Sequence, residues 1–173
     1  TNIIEIFATN NKLATLSANM FKSLTRMKRL SLVNNRIQTI ERGALNGLNE
    51  SLMYISLEGN KLNYIKGYYF AGLNQLRGLL LHSNQISGLE ADSFRGLSLL
   101  LGLDLSENCI HHLHSELFSD LAELRTLDLS QNQIYALNAK TFTNLTKLTK
   151  LDLGFIRLFR LDENRLFGNL SSL

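Results

Sequence analysis

The chain has no proline, no tryptophan and a single cysteine among its 173 residues. The lone Cys109 excludes an internal disulfide, and the missing proline and tryptophan point to no function by themselves. No apolar run approaches the roughly 20 residues that a membrane-crossing helix needs. The start, TNIIEIFATNNKL, lacks a basic-then-apolar leader and already reads as a strand. G-x-S-x-G, H-E-x-x-H, C-x-x-C and Gly-rich phosphate-loop patterns are all absent, so no residue is nominated as catalytic and no cofactor is expected. A net charge of +3 is a weak electrostatic footprint, which makes nucleic acid an unexpected partner. Linkers, low-complexity tracts and Gly-rich breaks are also missing, so residues 1–173 read as one domain.

What is present is a period. In LRTLDLSQNQIYALNAKTFTNL, Leu124, Leu127 and Leu129 lead to Asn132, followed by Ile134, Leu137, Phe142 and Leu145. The same frame places asparagines at Asn11, Asn35, Asn60, Asn84, Asn108 and Asn132, spaced by 24, 25, 24, 24 and 24 residues. A seventh copy, with Leu148, Leu151 and Leu153, carries Ile156 where asparagine is due. The chain thus reads as seven leucine-rich repeats starting near 3, 27, 52, 76, 100, 124 and 148. The one extra residue of the second repeat is placed near Asn49–Ser51, and another near Glu163–Leu166.

Alternation of Leu127 and Leu129 with Thr126, Asp128 and Ser130 is the period of a strand with one buried face. Such strands are too short to stand alone and must pair in parallel with their neighbours. Strands are expected at 5–9, 29–33, 54–58, 78–82, 102–106, 126–130 and 150–154, with loops and single helical turns between them. Paired strands lie about 4.8 Å apart. The bulkier return segments need more room, so the stack should bend with its strands on the concave side. Phe21, Phe70, Phe94, Phe118 and Phe142, with Leu45 in the second repeat and Phe167 in the last, fill the other side. The expected fold is an α/β repeat, a right-handed parallel β-solenoid shaped as a horseshoe. The asparagine amide, both donor and acceptor, is suited to pair turn backbone groups that the stack would bury.

The 24-residue period, the Phe column and segments such as LRTLDLSQNQI, SLEGNKL and LEADSFRGL resemble the repeats of extracellular animal proteins: Toll-family receptors and chaoptin-like and Slit-like adhesion and guidance proteins. They do not resemble the longer, helix-backed ribonuclease-inhibitor type or the plant type with its Ile-Pro signature. The resemblance implies a secreted or cell-surface ectodomain whose paired cysteines lie in caps. Neither terminus supplies a polar cap, so the chain is expected to be a piece of a longer array, with any membrane anchor elsewhere in the parent.

Several local features have both a plain and a functional reading. Asp104, Asp128 and Asp152 would form a carboxylate ladder, but L-D-L is also the common strand core of such repeats. Cys109, His111, His112 and His114 are residue types that bind zinc or copper, yet Ile110 and Leu113 point inward and leave the histidines without convergence. No metal site is nominated, and a protonation-sensitive contact is the alternative. Lys22, Arg26, Lys28 and Arg29 form the densest basic cluster and read as a solvated face. Three N-x-[ST] sequons, at Asn49, Asn144 and Asn169, lie in return segments where glycans are tolerable. Ile156 breaks the asparagine series, as a degenerate repeat or as a functional interruption.

Outward strand positions of the last three repeats are small or consensus-like: Gly102, Asp104, Ser106, then Thr126, Asp128, Ser130, then Lys150, Asp152, Gly154. The first four repeats instead carry Phe7, Arg29, Val33, Tyr54, Glu58, Leu80 and His82. Aromatic and apolar groups mixed with arginine make up protein-binding hot spots. These seven are the candidate ligand-binding residues. The expected function is non-catalytic recognition of a protein ligand or co-receptor on the concave face. The alternative is a structural role, homophilic adhesion or dimerisation through a flank or edge.

Overall fold

A computed structural model of the chain describes residues 2–159. Its strands are β1 (Glu5–Phe7), β2 (Thr15–Leu16), β3 (Arg29–Ser31), β4 (Thr39–Ile40), β5 (Tyr54–Ser56), β6 (Tyr64–Ile65), β7 (Gly78–Leu80), β8 (Gly88–Leu89), β9 (Gly102–Asp104), β10 (Thr126–Asp128) and β11 (Lys150–Asp152). Seven of them, one per repeat, form a parallel sheet in the order β1-β3-β5-β7-β9-β10-β11. The coil between them makes six turns of a parallel β-solenoid, as the leucine period requires. Strand pairing is shorter than the periodicity suggests, at three residues each. Backbone bonds nonetheless continue past the strand ends, as in Ala8 N–H to Ser31 O at 2.8 Å and Asn10 N–H to Val33 O at 2.9 Å.

Two two-stranded sheets, β2 with β4 and β6 with β8, lie beyond the turns. The sequence predicts loops and single helical turns there, because pairs of residues such as Thr15–Leu16 are too short to show a period. Among the described residues, only Ala139–Phe142 forms a 3₁₀ turn, capped by Asn138, whose side chain accepts from Lys140 N–H.

The core follows the repeat. Leu30, Ile55, Leu79, Leu103 and Leu127 of the sheet are buried, as are Leu45, Phe70, Phe94, Phe118 and Phe142 on the opposite side. Burying a side chain of this size contributes on the order of 1.5–3 kcal/mol. Phe94, Phe118 and Phe142 stack in near-parallel planes, with centroids 6.1 and 6.3 Å apart. Identical residues at identical positions therefore pack face to face along the coil axis. Phe167 lies outside the described residues.

The turn after each main strand has one geometry. The residue before the ladder position is left-handed throughout: Asn10, Asn34, Gly59, Ser83, Glu107, Gln131 and Phe155 all have φ between 52° and 64°. The extra residue of the second repeat sits in the turn at 49–51. There Leu52 N–H reaches Leu48 O, whereas the equivalent bond in the third repeat spans one residue fewer, from Leu76 N–H to Leu73 O. The sheet register passes through undisturbed, with Arg29 opposite Tyr54.

Candidate functional site

Register sorts the outward side chains of the sheet into columns. Glu5, Arg29, Tyr54, Gly78, Gly102, Thr126 and Lys150 share the first; Phe7, Ser31, Ser56, Leu80, Asp104, Asp128 and Asp152 share the second. Where Gly78 and Gly102 follow one another in the first column, the sheet has no side chains to cover it. An open groove of about 580 Å³ results. Phe7, Tyr54 and Leu80 stand around it, and all three are large apolar groups left exposed, Phe7 the most so at 66%. Gly78 is required beside Tyr54: a Cβ there would lie 2.7 Å from the ring's Cδ1. The tyrosine therefore lies down along the sheet rather than standing out from it. Arg29 covers the same ring with its guanidinium 5.1 Å from the centroid and approaches Glu5 at 3.7 Å. A cation over an aromatic face at this distance is attractive by roughly 0.5–1 kcal/mol when exposed.

Four of the seven candidate residues, Phe7, Arg29, Tyr54 and Leu80, thus meet around one groove. Val33, Glu58 and His82 do not line it and stand in the next column. There His82 is held between two carboxylates, with Nε2 at 3.2 Å from Glu58 Oε1 and Nδ1 at 3.4 Å from Asp104 Oδ2. The second approach is not a hydrogen bond, since the buried Nδ1 lacks hydrogen-bonding geometry to any partner among the described residues. Sequence reasoning missed Arg77, Arg125, Gly78 and Gly102, all of which line the groove. The signal was two glycines at the same outward position of successive repeats, of which Gly102 reads from the sequence as merely small and Gly78 is not singled out. An absent side chain makes room, and in a strand that room is itself informative.

The asparagines at the repeat period form a hydrogen-bond ladder. Asn84 Nδ2 donates to Leu81 O of its own turn and Leu57 O of the previous one, each at 3.0 Å, while its Oδ1 accepts from Leu62 N–H at 3.0 Å. Asn35, Asn60, Asn108 and Asn132 repeat this wiring, Oδ1 accepting from Leu13, Ile37, Ile86 and Ile110 respectively. Asn11 is exposed and donates only to Thr9 O, within its own turn. Ile156 is half-buried against the core and offers neither donor nor acceptor, so Ile134 N–H does not receive the partner its equivalents have.

Asp104 and Asp128 each accept from the backbone and hydroxyl of the serine two residues on, and Asp152 from Gly154 N–H. These carboxylates stiffen their own strand ends. Among the described residues, Cys109, His111, His112 and His114 form no metal-binding group. Of the sequons, Asn144 is exposed and donates to Ser119 O. Asn49 is half-buried with its Nδ2 against Gly72, and Asn169 lies outside the described residues. No described helix is long and apolar enough to cross a membrane.

Comparison with known proteins gives the same architecture. No curated protein matches the chain at a significant level. Among solved structures it is similar to the chain in the crystal structure of the TLR13–ssRNA13 complex, with a TM-score of 0.87 and 30% identity over 95% of this chain and 24% of that one. It also shares the fold of a chain in the glycosylated Toll–Spatzle complex from Drosophila, at a TM-score of 0.79 and 24% identity over 100% of this chain and 26% of that one. This chain therefore spans about a quarter of the length of either of those chains. The model of the leucine rich repeat family matches residues 5–51, 26–86, 75–134 and 103–158, and with the ladder and the parallel sheet beneath it, this chain belongs to that family.

Proposed function

We propose that this chain is a non-catalytic recognition module of a receptor or adhesion protein, facing the extracellular space or an endosomal lumen, and that it binds a protein partner on the N-terminal half of its concave face. The observation that carries the reading is the groove, where Phe7, Arg29, Tyr54 and Leu80 converge over two glycines. Exposed aromatic and aliphatic anchors beside a guanidinium, set around a concavity, are what interface centres are built from. The Asn ladder supports it indirectly. By holding the turns through buried side chains, it leaves the outward strand positions free to vary without cost to the core. The Toll relative binds Spatzle.

The test is alanine replacement in the full-length parent, with partner binding as the readout. Tyr54→Ala and Leu80→Ala should each weaken binding by about tenfold or more, while Asp128→Ala and Ser130→Ala leave it within about threefold. The opposite ranking would move the interface off this half of the face. For the compartment, Asn144 should carry a glycan after expression in animal cells, and its absence by mass spectrometry would argue against a secretory route.

A second reading comes from the TLR13 relative, whose structure contains single-stranded RNA. It removes the ground on which a low net charge sets nucleic acid aside. The distribution of charge over the face then has to decide between the two.

A further inference from the structure

The groove has an apolar floor and an uncommitted basic rim, and these two facts together define a ligand chemistry. Gly78 and Gly102 open the floor, with Tyr54 and Leu80 beside them. Arg77 and Arg125, each immediately preceding its strand, stand on one side with Leu101 between them. Both arginines are exposed, and among the described residues neither forms an ion pair. Arg29, by contrast, is already engaged by Glu5 and Tyr54. Two strand spacings separate Arg77 from Arg125, about 10 Å, a distance that side chains on an extended segment bridge easily.

We infer that the groove takes an acidic protein segment in which a bulky apolar side chain, aromatic or long aliphatic, is flanked by carboxylates. The apolar group rests on the Gly78–Gly102 floor against Tyr54 and Leu80, and the carboxylates meet the Arg77 and Arg125 guanidinia in charge-assisted hydrogen bonds. This rests on the reading of the face as a protein-binding surface and specifies what it recognises. A polyanion is the poorer fit. A phosphate backbone tracking along the sheet would leave the two free arginines and pass Glu58, Asp104, Asp128 and Asp152 in the adjacent columns. Single-stranded nucleic acid needs a basic groove along its whole track. A protein segment concentrates its charge where the arginines are and presents neutral groups elsewhere.

The experiment titrates the isotope-labelled full chain, followed by backbone amide shifts, with four probes. These are a blocked peptide of phenylalanine flanked on both sides by glutamates, the same peptide with lysines, the glutamate peptide with alanine for phenylalanine, and a single-stranded oligouridylate. The glutamate–phenylalanine peptide should shift the Gly78 and Gly102 amides and bind at least about tenfold more tightly than each of the others. Gly102→Val should abolish that binding by filling the floor. A Cβ at Gly102 meets Thr126 Oγ1 at 3.1 Å, which an exposed threonine relieves by a small shift, and an unchanged melting temperature is the control that the fold is kept. Arg77→Glu combined with Arg125→Glu should transfer the preference to the lysine peptide.

Equal binding of the two charged peptides, unaltered binding by the Gly102→Val chain, or no response to any probe would overturn the inference. So would oligouridylate binding in the groove in place of the peptide. If the parent's partner is lost on Tyr54→Ala while the glutamate peptide fails here, the protein-binding face stands and its ligand chemistry falls. If the peptide binds as expected but Tyr54→Ala and Leu80→Ala leave the parent's partner bound, the groove's chemistry stands and its use for that partner falls.

Discussion

Replacing Asn84 by leucine isolates what one rung of the ladder contributes. Leucine shares asparagine's branching and is the bulkier of the two, so the substitution opens no cavity and the polar loss sets the least it can cost. Three strong bonds are lost, but their partners fare differently. Leu57 O keeps its bond from Asn60 Nδ2 at 2.9 Å, and Leu81 O keeps one from Asn108 Nδ2 at 3.1 Å. Leu62 N–H has only Asn84 Oδ1 and is left buried without an acceptor. An orphaned buried donor costs about 1–3 kcal/mol and each of the two further lost bonds about 0.5–1.5 kcal/mol, which puts the substitution at about 2–6 kcal/mol. For a chain of this size each kcal/mol moves the melting temperature by about 2–4 °C, so a fall of about 4–24 °C is expected. Asn74→Leu, at an exposed position of the preceding return segment, should stay within about 0.5 kcal/mol. Thermal melts of both variants make the comparison. Hydrogen exchange at the Leu62 amide makes it local, because protection there should drop even in variants folded at low temperature. Equal melting of the two variants, or unchanged protection at Leu62, would refute the ladder's energetic role.

Three further outcomes follow from the geometry. Gly47→Ala and Gly96→Ala both force a side chain onto a left-handed residue, but only at Gly47 does the new Cβ meet backbone, Lys22 O at 2.5 Å. Gly47→Ala should therefore cost about 2–3 kcal/mol in denaturant unfolding and Gly96→Ala about 1 kcal/mol, and the reverse order would contradict the packing. Ile156→Asn should supply Ile134 N–H with an acceptor and raise stability by about 1 kcal/mol, so a lower melting temperature would show that the seventh turn is built differently. Burial, opposed in part by a backbone hydrogen bond with Ile40, raises the Tyr69 phenol above its ordinary value of 10.0. A group raised in the folded state stabilises it fully below its unfolded value and loses that contribution as pH rises toward the folded one. Stability should thus decline above pH 10, and Tyr69→Phe should flatten that decline; identical pH profiles for the two chains would remove Tyr69 as its source.

The fold was legible because its determinants recur. One leucine means little, but Leu127, Leu129, Asn132 and Phe142 at the same offsets in copy after copy fix which face of each strand is buried and where the chain turns. The short pairs Thr15–Leu16 with Thr39–Ile40 and Tyr64–Ile65 with Gly88–Leu89 escaped notice because two residues carry no alternation to read. The groove was half legible. Phe7, Arg29, Tyr54 and Leu80 announce themselves as large side chains at outward positions. Gly78 and Gly102 shape the site by what they lack, and Arg77 and Arg125 sit one residue outside the positions that alternation marks as outward. Glu58 and His82 were picked out by type, and in the column beside Phe7 and Leu80 they stand clear of the groove and contact each other.

The wiring of the asparagines also makes the coil a ruler with one permitted unit. Each rung reaches only its immediate predecessor, and each does so through the same atoms, so no rung records which repeat it belongs to. Excising 24 residues between equivalent points would rejoin a rung to a predecessor of the same form and shorten the sheet by one strand. Removing a single residue within a strand would instead turn every following side chain to the opposite face. The wider turn at 49–51 shows where such a slip is absorbed, on the return side and out of reach of the ladder. Length can therefore change in this protein by whole repeats, or by single residues in its return turns, while the outward face of the sheet keeps its columns.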